Sequence, residues 1–129
     1  MTDKVGYGGR NTTPPTETTA YLAGEAISRG ETVYISAIDG VTVSLAPSTH
    51  RPLGVAQADI ASGAVGEIIT KGFCGYLITD GTVDADELLV SSSTDGAAAG
   101  VALGSGTFAV FGVALGADVD NLCTAAYIY

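Results

Sequence analysis

Hydrophobic and polar residues alternate strictly over Val41-Thr42-Val43-Ser44-Leu45. That is the mark of a strand with one buried face, because successive side chains of a strand point to opposite sides. The run Val33-Tyr34-Ile35-Ser36-Ala37-Ile38 precedes it, and the Asp39-Gly40 between them is a favoured two-residue hairpin turn. The same reading places strands at residues 66–71, 75–79, 87–91, 107–115 and 125–129. Helical periodicity is scarce. Only residues 56–61 and 119–124, where Ala or Leu coincide with capping Asp residues, admit a short helical turn. The expected fold is all-β, a small β-barrel or β-sandwich with little helix.

A longer period lies over these strands. Glu31-Thr32-Val33-Tyr34-Ile35-Ser36, Asp39-Gly40, Gly54-Val55-Ala56-Gln57-Ala58-Asp59 and Glu67-Ile68-Ile69-Thr70 form one series. Glu87-Leu88-Leu89-Val90-Ser91, Asp95-Gly96, Gly112-Val113-Ala114-Leu115-Gly116-Ala117-Asp118 and Ala126-Tyr127-Ile128-Tyr129 repeat it. Glu31 to Glu87 and Gly40 to Gly96 share one offset, and Gly54 to Gly112 exceeds it by two, a slip that belongs in a loop. The pattern reads as an internal duplication of a small β-unit.

Residues 1–20 have no such periodicity. Gly6, Gly8 and Gly9 are followed by Thr12-Thr13-Pro14-Pro15-Thr16-Glu17-Thr18-Thr19, so we read an extended arm (1–20) before a β-rich body (21–129). Twenty stretched residues reach about 65 Å, enough to touch several neighbours. The arm's contact residues are expected to be Lys4, Val5, Tyr7 and Arg10, with Pro14 and Pro15 holding it clear of the body.

Charge narrows the partners. The chain carries a net charge of −9, and of its 14 acidic residues only Asp3 and Glu17 lie in the arm, balanced there by Lys4 and Arg10. Arg29, Arg51 and Lys71 leave the body strongly acidic, which disfavours nucleic acid as a partner. Residues 96–117 are uncharged and long enough to span a bilayer, but their glycines and the alternating run at Phe108–Phe111 read as a loop and a buried strand, so no membrane partner is expected. With 18 Gly and no Trp the core is built of small side chains. A thin core of this kind favours completion by another subunit, with Tyr127, Ile128 and Tyr129 as the expected oligomer contact. The N-terminus lacks the apolar stretch of a secretory signal, so synthesis in a reducing cytoplasm is expected.

Candidate chemistry is sparse. His50 is the single histidine, and Ser48 and Thr49 beside it are too close in sequence to be assumed to form a nucleophile–base pair. Asp80, Asp84, Asp86 and Glu87 offer oxygens to a cation, yet their spacing is not that of an EF-hand loop and suits turns leading into a strand. Gly100, Gly104 and Gly106 lack the Lys-Ser/Thr of a phosphate-binding loop. Cys74 and Cys123 have no metal-site spacing and read as small buried hydrophobes. No catalytic, cofactor or metal site is expected, and the protein is not expected to be an enzyme.

Two stretches, residues 23–34 (Ala-Gly-Glu-Ala-Ile-Ser-Arg-Gly-Glu-Thr-Val-Tyr) and 52–67 (Pro-Leu-Gly-Val-Ala-Gln-Ala-Asp-Ile-Ala-Ser-Gly-Ala-Val-Gly-Glu), resemble the capsid decoration, or cement, proteins of tailed phages. The resemblance runs over about residues 20–116. It implies a non-enzymatic virion protein, a homotrimer on the outer surface of an icosahedral head that clamps neighbouring major capsid proteins. A host- or glycan-binding module of a phage tail or fibre is the alternative, with residues 48–51 in a ligand-binding loop.

Overall fold

The computed structural model describes residues 16–102 and 109–129, and among them every regular element is a strand. They are β1 (Thr16–Ala23), β2 (Thr32–Ile35), β3 (Thr42–Leu45), β4 (Gly54–Ala56), β5 (Val65–Cys74), β6 (Leu77–Ile78), β7 (Leu88–Ser91), β8 (Ala98–Val101), β9 (Gly112–Ala114), β10 (Leu122–Cys123) and β11 (Ala126–Ile128). Nine of them form one sheet in the order β1-β3-β2-β4-β5-β11-β9-β7-β8, while β6 and β10 pair separately.

The duplication is written into this order. β3-β2-β4-β5 in the first half is repeated as β8-β7-β9-β11 in the second. Thr32↔Val55 and Val33↔Gly54 are matched by Leu88↔Val113 and Leu89↔Gly112. Val55↔Ile69 and Ala56↔Ile68 are matched by Val113↔Tyr127 and Ala114↔Ala126. Bonds outside the ladders agree as well. Leu53 N donates to Val33 O and Phe111 N to Leu89 O, at 2.7 and 2.9 Å. Ser28 N donates to Glu31 Oε1 and Asp84 N to Glu87 Oε1, at 2.7 and 2.8 Å. Left-handed backbone recurs at the same stations, Gly30 with Asp86 (φ 86° and 68°) and Gly63 with Asn121 (82° and 61°).

Each half closes on itself. β1 runs antiparallel to β5 from Thr16↔Gly72 to Leu22↔Val65 and parallel to β3, completing a hydrogen-bonded ring β1-β3-β2-β4-β5. The second circuit is made by the last residues of β5 and by β6. Gly72–Cys74 pair with β11, β6 pairs with β10, and Thr79 bridges Ala98 in parallel. β5 therefore walls both rings, and it passes from one to the other at Gly72, whose φ of 107° is open to glycine alone.

The cores follow the rings. Ala23, Ile27, Val33, Val43, Ala56, Ile60 and Ile68 fill the first, and Leu77, Val83, Leu89, Phe111, Cys123 and Ile128 are among those filling the second. One layer differs in chemistry. Ala23 and Ile60 of the first half correspond to Thr79 and Asp118 of the second, where the Thr79 hydroxyl donates to Asp118 Oδ2 at 2.6 Å.

Several sequence expectations need correction. Residues 16–20, read as the end of the arm, are the start of β1; its Thr-rich, exposed stretch carries no hydrophobic alternation, yet Thr suits a strand. Asp39-Gly40 is not a two-residue turn. Ser36 N donates to Thr42 O, so residues 37–41 form the loop, and residues 93–96 form its one-residue-shorter counterpart between Ser92 and Ala97. Residues 56–61 and 119–124 form bends, turns and short bridges instead of helix, because Gly30–Ala56 and Ile27–Ile60 bonds in the first, and the Thr79–Asn121 bond and the β6 pairing of Leu122–Cys123 in the second, hold their backbone to other segments. β8 lies inside the stretch read as a loop, its Gly and Ala residues giving no period-two signal.

Candidate interaction surfaces

The residues singled out for chemistry are engaged in holding the fold. His50 stacks at 4.5 Å on the Tyr34 ring, and its Nδ1 lies 3.2 Å from Thr49 Oγ1. This loop is tied to the second half. Ser91 Oγ donates to His50 O at 2.7 Å and Arg51 Nε to Val110 O at 2.8 Å. Ser48 has no bond to the imidazole, so the three side chains do not form a relay.

The carboxylates act as turn caps. Asp80 Oδ1 accepts from Thr82 N at 3.1 Å, and its Oδ2 accepts from Ser92 Oγ at 2.8 Å. Glu87 reaches back to the Asp84 amide, and Asp86 adopts left-handed backbone. Among the described residues no cluster of three His, Cys, Asp or Glu side chains is placed to hold a metal ion, and no helix is long and apolar enough to cross a membrane. Gly100 lies in β8, while Gly104 and Gly106 fall outside the described residues.

Cys74 and Cys123 are buried free thiols, as the sequence suggested. Burial pushes the Cys74 thiol up from its ordinary value. Cys74 also lines a pocket of about 220 Å³, together with Thr16, Ile69, Phe73 and Tyr76. Arg29 lines it as well, its guanidinium 4.2 Å from the Tyr76 ring centroid. Nothing in the sequence marked Arg29 and Tyr76 as neighbours, since only the closing of the two rings brings them together.

Of the expected contact residues, Lys4, Val5, Tyr7, Arg10, Pro14 and Pro15 lie outside the described residues. At the other end Ile128 is not available to a partner. It is 1% exposed, because β11 is a central strand paired with β5 on one side and β9 on the other. Tyr127 is half-buried, and Tyr129 is exposed.

Other exposed apolar side chains are Val65, Leu115 and Val119, and two more share one loop. Ile38 is completely exposed and Val41 half so, both in the loop of residues 37–41. That loop is pinned by one side chain. Asp39 accepts from Val41 N at 2.9 Å, from the Thr42 hydroxyl at 2.7 Å and from Thr42 N at 3.0 Å, and these bonds hold its carboxyl below the usual carboxylate value. The sequence held a signal for it. Apolar residues flank Asp-Gly in Ala37-Ile38-Asp39-Gly40-Val41, where the counterpart reads Ser93-Thr94-Asp95-Gly96.

No protein-family model matches the chain, and no curated protein does. Among solved structures it is similar to the N base of the head fibre protein gp8.5 of bacteriophage phi29, at 18% identity and a TM-score of 0.65, over 89% of this chain and 95% of that one. At this identity the likeness establishes a common fold: the chain has the architecture found in a phage head-fibre base.

Proposed function

We propose that the protein is a non-enzymatic structural component of a phage particle. It is a homotrimeric decoration or cement protein that binds the outer surface of the major capsid protein. The observation that carries this reading is the fold held in common, over nearly the whole chain, with the base of a phage head fibre. Three features support it. The carboxylates and His50 are engaged in turns and loop anchoring. The body's acidic excess suits a soluble outer face. Apolar side chains stand exposed on a pinned loop. Residues 1–15, with Lys4, Val5, Tyr7 and Arg10, reach neighbouring capsid subunits in this reading.

Cryo-EM of particles with and without the protein tests it directly, with density expected on the outer capsid surface. Deleting residues 2–15 spares β1, whereas deleting 2–19 would cut into it. The shorter deletion should leave the free protein's thermal midpoint unchanged and release it from particles at lower temperature. Equal retention would move the clamp into the body, and absence from particles would overturn the reading. The fibre neighbour favours a second reading, a fibre-borne module that binds host surface or glycan. Specific glycan binding by the isolated chain, with no density on the capsid shell, would select it.

A further inference from the structure

The two halves meet head to tail, through different surfaces of the repeated unit. The second half presents its hairpin loop and first strand. Gly96 N donates to Ala46 O at 3.0 Å, Gly96 O accepts from Thr32 N at 2.8 Å, and Ile78 N donates to Gly30 O at 2.9 Å. The first half receives them on the open end of β2 and β3. Gly96 is buried there, so close that an added Cβ would lie 3.0 Å from Leu45 and 3.2 Å from Glu31.

A joint of this kind leaves one copy of each surface unused. The presenting surface of the first half is Leu22, Ile35 and the loop of residues 37–41, the counterparts of Ile78, Ser91 and residues 93–96. Gly40 stands where Gly96 does, yet it is exposed and an added Cβ would meet nothing within 4 Å. The receiving surface of the second half is the end of β7 and β8, where Leu88 and Val101 correspond to Thr32 and Ala46. Both are half-buried apolar side chains.

We propose that one chain seats its 37–41 loop on the Leu88/Val101 end of a second copy, so that the joint inside the chain is repeated between chains. The two joints differ in chemistry in a way that fits their surroundings. In the first half Gly96 wedges between Thr32 and Ala46 by backbone bonds. In the second half Leu88 and Val101 already pair with each other, so a backbone wedge has no place. The 37–41 loop answers with side chains: Ile38 stands before Asp-Gly where the other loop carries Thr94, and the loop is one residue longer, ending on Val41. The charge layout is one the intrachain joint already accommodates: Asp95-Gly96 sits beside Glu31, as Asp39-Gly40 would sit beside Glu87. Pinning by Asp39 fixes the loop before contact, which lowers the ordering cost of association.

This interface rests on the self-association proposed above and assigns it a surface. Ile38→Cys and Leu88→Cys full-length chains, prepared separately, are mixed under mild oxidation, and light scattering is recorded on the wild type and on Ile38→Asp. The expected results are a crosslinked dimer only in the mixture and collapse of the assembly to the 12.9 kDa chain in Ile38→Asp, whose circular dichroism spectrum stays that of the folded chain because Ile38 is fully exposed within it. An assembled wild type that gives no mixed crosslink and survives Ile38→Asp would overturn this interface while leaving self-association in place. A wild type that is monomeric at all concentrations would overturn both.

Discussion

Thr32 and Thr79 are buried to the same degree, 0% and 2% exposed, and the same substitution should move stability in opposite directions at the two sites. Among the described residues the Thr32 hydroxyl has no hydrogen-bond partner, whereas the Thr79 hydroxyl donates to Asp118 Oδ2 at 2.6 Å. Thr→Val keeps the shape and replaces the hydroxyl by a methyl. At Thr32 it removes a buried, unpaired polar group, worth about 1–3 kcal/mol in protein mutational data. The duplicated half already carries an apolar residue, Leu88, at the same ladder position. At Thr79 the change strips a hydrogen bond from a carboxylate, at a cost of about 1.5–3 kcal/mol. Val83 N at 3.2 Å is the partner Asp118 Oδ2 would retain. Thermal unfolding followed by circular dichroism reads both, and each kcal/mol should shift the melting midpoint by roughly 4 °C in a chain of this size. Thr32→Val is expected to rise and Thr79→Val to fall. A fall at Thr32 would show that its hydroxyl is satisfied in solution, and the reasoning from buried polar groups would fail at that site.

Gly54→Ala and Gly112→Ala should each destabilise by about 1–3 kcal/mol through overpacking, because the added methyl would press on the Ile69 and Tyr127 carbonyls of the adjacent strand; unchanged urea midpoints would contradict the close approach. Cys74 and Cys123 should react with a thiol reagent only as the protein unfolds, since both are buried and burial raises the Cys74 pKa; rapid labelling of either in the native protein would refute their placement. The Val41 and Thr42 amide resonances should titrate with a midpoint below the ordinary aspartate value of 3.8, because Asp39 is hydrogen-bonded in its charged form. A pKa depressed on folding contributes stability that is present above the unfolded value and lost as pH falls through the folded one, so a midpoint at or above 3.8 would contradict the bonded loop.

Much of the fold was legible where side-chain pattern and buried face coincide. Val41–Leu45 alternates because Val43 faces the core and its neighbours do not, and β3 lies there. The repeat was legible because Gly54 and Gly112 answer one steric demand, the near contact of β4 with β5 and of β9 with β11. β1 was hidden because its first five residues are exposed on both faces of the strand, so its pairing with β5 leaves no mark in hydrophobicity. The loop at Asp39 was misread because Asp-Gly also suits a longer, side-chain-capped loop, and only the Ser36–Thr42 bond decides its length. The head-to-tail joint was beyond reach, since it depends on which faces of two like units meet.

The double duty of β5 has a kinetic and engineering consequence. Its first part closes the ring opened by β1, across the distance from Thr16 to Gly72, and its last part anchors β11 at the end of the chain. Neither ring can form until this one strand has been placed, so folding waits on pairings between residues far apart in sequence and should be slow for the size of the chain. Once formed, the two rings should melt as one cooperative unit, for loosening either removes a wall from the other. Severing the chain near Gly72 would therefore yield two fragments that each lack an edge partner, not two autonomous modules, despite the clear seam of the repeat.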